Sequence, residues 1–290
     1  MKLVRFGGGH VGILQDGLIY DATIALGFDP EAWPPVGMVQ LIKNFNAFRS
    51  KLESAMKSPG IPLGETRLEA PILWPNKLIA YPVNYVEHGQ ERNVALRADV
   101  NGFFLKANSS LSGPQDPIIL PDLPDREIHH ECELAIIIGK TSRHLGVREA
   151  LSCVFGYTCL IDVTVRGKED RVMRKSYDTF CPIGPALATA DEVGDPRNLE
   201  MKLWVNEELR QHANTRDIIL DVPNMISMAS SVTTLYPGDI IASGTPAGVG
   251  LIKPGDQVTI EIERVGRMTV LVEQGTGGDN LAIRKAPARS

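Results

Sequence analysis

Glu131-Cys132-Glu133 stands directly before Leu134-Ala135-Ile136-Ile137-Ile138-Gly139, so two carboxylates sit at the mouth of a run that reads as a buried strand. Alternate side chains of a strand share a face, which turns Glu131 and Glu133 to one side and Cys132 to the other. Like charges side by side repel, and burying even one ionised carboxylate is costly without a partner. The segment carries no lysine or arginine close enough in sequence to neutralise both. A second apolar run, Gly156-Tyr157-Thr158-Cys159-Leu160-Ile161, ends in a third acid, Asp162, and Val147 to Val154 between the runs reads as a short helix. Strand, helix and strand in this order bring Asp162 beside the glutamate pair. Three oxygen ligands with open positions suit a hard cation, Mg2+ or Mn2+. This reading requires the acids to converge without arginines and lysines already neutralising them. The alternative, an exposed Glu-x-Glu on an edge strand, is opposed by the apolar runs beside both acid sites.

At 290 residues and 43% hydrophobic, the chain has area for one large domain, or a large domain with a small companion. A net charge of -5 with scattered Lys and Arg offers no basic field for nucleic acid or an anionic membrane. No apolar run approaches the roughly 20 residues that cross a bilayer, and no apolar stretch follows a basic N-terminal region. A soluble cytoplasmic protein is the expectation. Cys132, Cys153, Cys159 and Cys181 form no C-x-x-C pair and lie mostly in apolar runs, which predicts free buried thiols and no zinc. His129-His130 precede the acid pair, but neighbours on a strand face opposite sides, so at most one could join a metal.

Residues 1–70 read as a small N-terminal α+β domain and residues 71–290 as the main one. His10 to Gln15 and Leu18 to Asp21 flank Asp16-Gly17, a two-residue hairpin signal. Met38, Leu41, Ile42, Phe45, Phe48, Leu52 and Met56 predict one amphipathic helix that stops near Pro59-Gly60. Gly7-Gly8-Gly9 precedes a strand and reads as a turn, not a phosphate loop. Beyond Pro71, short β-type runs follow one another, among them Leu105-Lys106, Ile118 to Leu120, Leu203 to Val205, Ile240 to Ala242, Val258 to Ile262 and Met268 to Val272. One helix is expected at Asn224 to Leu235. Rossmann-type alternation is absent, so the fold class is mostly β, of α+β type.

Six stretches in order between Pro71 and Val272 resemble the fumarylacetoacetate hydrolase family. They are Asn84-Tyr85-Val86-Glu87-His88, Phe103-Phe104-Leu105-Lys106, Glu131-Cys132-Glu133-Leu134, Asp162-Val163-Thr164-Val165-Arg166, Lys175-Ser176-Tyr177-Asp178-Thr179-Phe180 and Ser243-Gly244-Thr245-Pro246-Ala247-Gly248-Val249-Gly250. The resemblance implies a mixed β-roll catalytic domain behind a small leading domain, and a homodimer. It assigns Glu131, Glu133 and Asp162 to Mg2+ or Mn2+, and His88 with Glu91 to the general-base pair. Tyr85, Lys106, Arg166 and Thr245 become expected substrate contacts. Three departures stand out: Gly167 where the family is often acidic, Glu169 where some members carry a substrate-facing glutamine, and Lys106-Ala107 in place of Lys-Pro. A carboxylate at Glu169 repels an anionic substrate unless it is protonated or paired, with Arg166 or Lys168 as the nearby candidates.

A 2,4-dioxo acid presents adjacent carboxylate and carbonyl oxygens that can chelate such a cation. Water attack at the distal carbonyl needs a base, and a carboxylate three residues from His88 on a helical turn can orient its ring. Carbon–carbon cleavage leaves an enolate charge, for which Lys175 is an expected second electrostatic partner. The first reading is therefore a hydrolase of an acylpyruvate- or fumarylpyruvate-like substrate. An oxaloacetate-type decarboxylase or 2-hydroxymuconate-type isomerase is the runner-up, and a catalytically silent scaffold is a third reading. The polar stretch from Glu87 to Gly102 is an expected lid that orders on substrate binding.

Overall fold

The computed structural model describes residues 1–91, 97–123 and 125–276. Its centre is the Cys132–Ile138 strand, every residue of which is buried. Period-two alternation splits that strand between two cores. Cys132, Leu134, Ile136 and Ile138 pack into one apolar cluster, with Met201, Leu203 and Ile260 of a second sheet. Ala135 and Ile137 pack into the other, with Leu41 and Leu52 of the N-terminal helices. A strand covered on both faces reads as a continuous hydrophobic run, which is why the alternation is invisible in the sequence.

The strand pairs antiparallel with Val154–Ile161 on one side and with Ile240–Ala242 on the other. Ile240–Ala242 in turn runs parallel to Leu78–Ala80, which makes the sheet mixed. Lys2–Phe6 pairs with Cys181–Thr189, so the N-terminal hairpin continues the same sheet of twelve strands among the described residues. A separate five-stranded sheet, built around Glu200–Val205 and Gln257–Ile262, covers the opposite face. The fold is mostly β with short helices, of the expected α+β kind. Among the described residues, no helix is long and apolar enough to cross a membrane.

The hairpin strands occupy His10–Gln15 and Leu18–Asp21, and Gly7, Gly8 and Gly9 all have positive φ, as a turn requires. The expected single helix over Met38 to Met56 is instead two, Gly37–Lys43 and Phe45–Ala55. Asn44 breaks it: its side-chain amide donates to the Gln40 carbonyl at 3.0 Å, a local bond that competes with helix continuation. The later helix runs Val222–Val232, two residues earlier than expected, because Asp221 caps it by accepting the Asn224 amide at 3.1 Å. All four cysteines are buried and free, and burial pushes the thiols of Cys159 and Cys181 up to about 12.

Candidate active site and cation centre

The acid cluster follows from strand register. Cys132 lies opposite Ile161, and the ladder continues one step further, where the Asp162 amide donates to the Glu131 carbonyl at 2.8 Å. Glu131 and Asp162 therefore face each other across two strands, and Glu133, two residues on, shares the face of Glu131. One oxygen from each of the three lies within 4.8 Å of the others, and all three residues are buried. Convergence is as the sequence requires.

The absence of neutralising cations is not. Lys175 Nζ donates to Glu131 Oε2 at 2.7 Å and to Asp162 Oδ2 at 2.6 Å. Lys106 Nζ donates to Asp162 Oδ1 and, at 3.0 Å, to the Phe180 carbonyl. Arg166 lies 3.2 Å from Glu131 Oε1. Lys106 and Lys175 arrive from segments 56 and 13 residues away from Asp162, outside the acid-bearing runs, whereas Arg166 closes the stretch that Asp162 opens. Burial opposes ionisation of Glu131, but Lys175 and Arg166 outweigh it and hold the carboxyl down at about 2. Glu133 differs. Among the described residues no lysine or arginine lies within ion-pair distance of it, and its Oε2 accepts the Gly244 amide at 2.8 Å. Burial and the neighbouring Asp162 push its carboxyl well above the ordinary range. A buried carboxyl without a cation, inside an all-oxygen donor set, fits a hard divalent ion.

His88 sits on the short Val86–Glu91 helix and faces the same cavity, of about 200 Å³, as the three acids, Arg166, Lys175 and Thr245. Glu91 Oε2 lies 3.4 Å from His88 Nδ1, longer than an ordinary hydrogen bond. The Glu91 carboxylate also accepts the Gly248 amide, at 3.2 and 3.3 Å, which anchors the helix to the Ser243-to-Gly250 loop. Burial lowers the His88 pKa below its ordinary value, against the pull of Glu131 and Glu91. The ring is thus a neutral imidazole near pH 7, the form a general base needs.

Other expected contacts fall differently. Lys106 lies behind Asp162 with a fully buried side chain and does not line the cavity. Tyr85 is turned away, its hydroxyl 3.6 Å from Met201 Sδ, while Tyr81 lines the cavity. Thr245 lines it too, and its hydroxyl accepts Gln211 Nε2 at 2.8 Å. Gln211 is a residue the sequence did not mark. It also donates to the Pro246 carbonyl at 2.9 Å, and its Oε1 accepts the Cys132 amide at 2.9 Å, tying the Thr245 loop to the strand between the two glutamates. Neither preceding histidine joins the acids: His130 Nδ1 is 3.1 Å from Gln211 Oε1, and His129 Nε2 is 2.9 Å from Glu127.

Glu169 is paired, but with neither candidate. Arg126 grips it in a two-pronged contact at 2.9 and 2.6 Å, and those bonds draw the carboxyl down to about 2. The guanidinium passes where a side chain at position 167 would stand: a Cβ on Gly167 would lie 1.5 Å from an Arg126 nitrogen. Gly167 and Glu169 are therefore one departure, made to admit Arg126. The expected lid spans the described helices Val86–Glu91 and Ala98–Asn101, but residues 92–96 within it lie outside the described residues.

A mixed β core that gathers three buried carboxylates and a neutral histidine around one cavity defines an enzyme with an all-oxygen cation centre. The chain belongs to the fumarylacetoacetate hydrolase family: the profile of the fumarylacetoacetate (FAA) hydrolase C-terminal domain matches residues 77–273. A maleylpyruvate hydrolase of Aquipseudomonas alcaligenes is 44% identical over 285 residues, covering 94% of this chain and 99% of the relative. The crystal structure of maleylpyruvate hydrolase from Sphingobium sp. SYK-6, in complex with manganese(II) and pyruvate, superposes with a TM-score of 0.88 at 52% identity, over 95% of this chain and 100% of that one. A human mitochondrial oxaloacetate tautomerase, FAHD2B, is 36% identical over 286 residues, 92% of this chain and 90% of the relative.

Proposed function

We propose that the protein hydrolyses a carbon–carbon bond in an acylpyruvate-type 2,4-dioxo acid such as maleylpyruvate or fumarylpyruvate. The observation that carries this reading is one cavity holding Glu131, Glu133 and Asp162 opposite a buried, neutral His88. Glu131, Glu133 and Asp162 would hold Mn2+ or Mg2+, which when bound supplies positive charge that orients the 2-oxo acid end and polarises its oxygens. His88 takes the proton of the attacking water at its cavity-facing nitrogen, and Glu91 orients the ring and steadies its protonated form. Arg166 and Lys175, both lining the cavity, offset negative charge that develops on the substrate. The Thr245 hydroxyl, fixed by Gln211, is placed for a substrate carboxylate.

The maleylpyruvate hydrolases at 44% and 52% identity support this reading. The tautomerase at 36% identity supports a second, in which the same site moves a proton without cleaving carbon from carbon. Incubation with Mn2+ and maleylpyruvate, with pyruvate measured by a coupled reductase, separates them. Stoichiometric pyruvate is expected; substrate lost without pyruvate, or keto–enol exchange of oxaloacetate alone, sinks the hydrolase reading. Mg2+ is proposed to substitute for Mn2+ on the all-oxygen donor set. A cytoplasmic site fits four unpaired cysteines, and a homodimer fits exposed apolar side chains such as Val100 and Leu105.

A further inference from the structure

We propose that Arg171 binds a second carboxylate at the far end of the substrate, so that the site selects dicarboxylic over monocarboxylic 2-oxo acids; this rests on the reading of the cavity as a 2-oxo acid site. Arg171 opens the five-residue helix Arg171–Lys175, whose last residue contacts Glu131 and Asp162. Residues four apart share a helix face and are separated by about 6 Å along the axis. Arg171 therefore lies one turn from the acid cluster on the side of the helix that faces the same cavity, and Arg174 lies between them in sequence. A substrate whose 2-oxo acid end is held at a cation on the acid centre would extend along that turn.

The charge at this end of the cavity is uncommitted. Among the described residues, no carboxylate lies within ion-pair distance of Arg171 or Arg174. Arg174 spends its donors on backbone, giving Nε to the Glu169 carbonyl at 2.8 Å and Nη1 to the Val165 carbonyl at 3.2 Å. Arg171 instead lies over the Phe104 ring, 5.3 Å from its centroid. This cation–π contact restrains the guanidinium, and among the described residues its N–H groups meet no acceptor, which leaves them available for a two-pronged grip on a carboxylate. Glu169, the nearby acid that would compete for it, is already held by Arg126 across Gly167.

The test compares 2-oxoheptanedioate with 2-oxoheptanoate, two acids that lack the 4-oxo group and differ only at the far carboxylate. Calorimetric titration into the Mn2+-loaded protein gives the ratio of their Kd values, a quantity that partial unfolding does not move. The dicarboxylate is expected to bind at least about tenfold more tightly to the wild type, as a charged hydrogen-bonded contact implies. In Arg171→Gln the ratio falls to about one, and Arg171→Lys lies between, since a point charge remains without the fork. A wild-type ratio near one, a ratio unchanged in Arg171→Gln, or binding of neither acid overturns the proposal. Failure to cleave a 2,4-dioxo acid sinks only the hydrolase reading and leaves this ratio standing.

Discussion

Asp162→Asn and Glu133→Gln are both expected to abolish turnover, yet to move the stability of the metal-free protein differently. Asp162 is the shared partner of Lys106 and Lys175, and its loss leaves the buried Lys106 ammonium with only the Phe180 carbonyl and Lys175 with Glu131 alone. Removing one partner of a buried ion pair costs about 3–5 kcal/mol, so Asp162→Asn unfolds at a markedly lower urea concentration. Glu133 has no such partner among the described residues, and burial already favours its uncharged form, which glutamine resembles. Glu133→Gln is expected to match the wild type within about 1 kcal/mol. In both variants Mn2+ affinity collapses, and turnover falls at least about a thousandfold, because a bound cation contributes several kcal/mol of charge stabilisation. Urea titration of chelator-treated protein, Mn2+ titration and pyruvate release measure the three quantities. Equal destabilisation by the two substitutions would show that Glu133 has a counter-charge; Mn2+ bound at wild-type affinity would remove the cation centre.

His88→Ala is expected to lower turnover by about 10²–10⁴, the range for loss of a positioned base, while Mn2+ binding persists. The pH profile carries the sign. Burial makes protonation of His88 harder, so the base stays neutral below its ordinary pKa, and activity is lost as pH falls through that lowered value. At saturating Mn2+, the acid limb of kcat/KM should therefore lie below about 6.5, the pKa of an unperturbed imidazole. An acid limb above that value, or a His88→Ala variant with wild-type turnover, would take His88 out of the mechanism. Glu91→Gln should move the acid limb further down, since the nearby carboxylate raises the ring's proton affinity.

The acid cluster was legible because it violates a local rule: carboxylates do not flank apolar strands without a reason, and both flanking strands are buried at their acid-bearing ends. The cations were not legible as its partners. Lys106 and Lys175 come from 56 and 13 residues away from Asp162, and only the folded sheet shows that they converge on it. The orientation of Tyr85 was illegible for a related reason. Tyr81 and Tyr85 lie on either side of Val83, whose φ of 50° turns the chain, and no pattern in the sequence says which of the two residues lines the cavity. Gln211 sits in an otherwise exposed polar strand, where a single buried amide leaves no periodic trace. Gly167 and Glu169 read as unrelated oddities until Arg126, about forty residues earlier, is placed between them.

The four sulfhydryl groups bear on how such a protein survives oxidative stress. Each is buried, and for Cys159 and Cys181 the fraction present as thiolate, the form that reacts with peroxides and alkylating agents, is negligible near neutrality. Cys181 adds a particular twist, because it neighbours the ammonium of Lys106, a setting that would ordinarily activate sulfur, yet desolvation prevails. Iodoacetamide should label none of the four while the native state persists and all of them in urea. Activity is therefore expected to persist without reductants, with exposed methionines such as Met173 the first side chains that peroxide attacks.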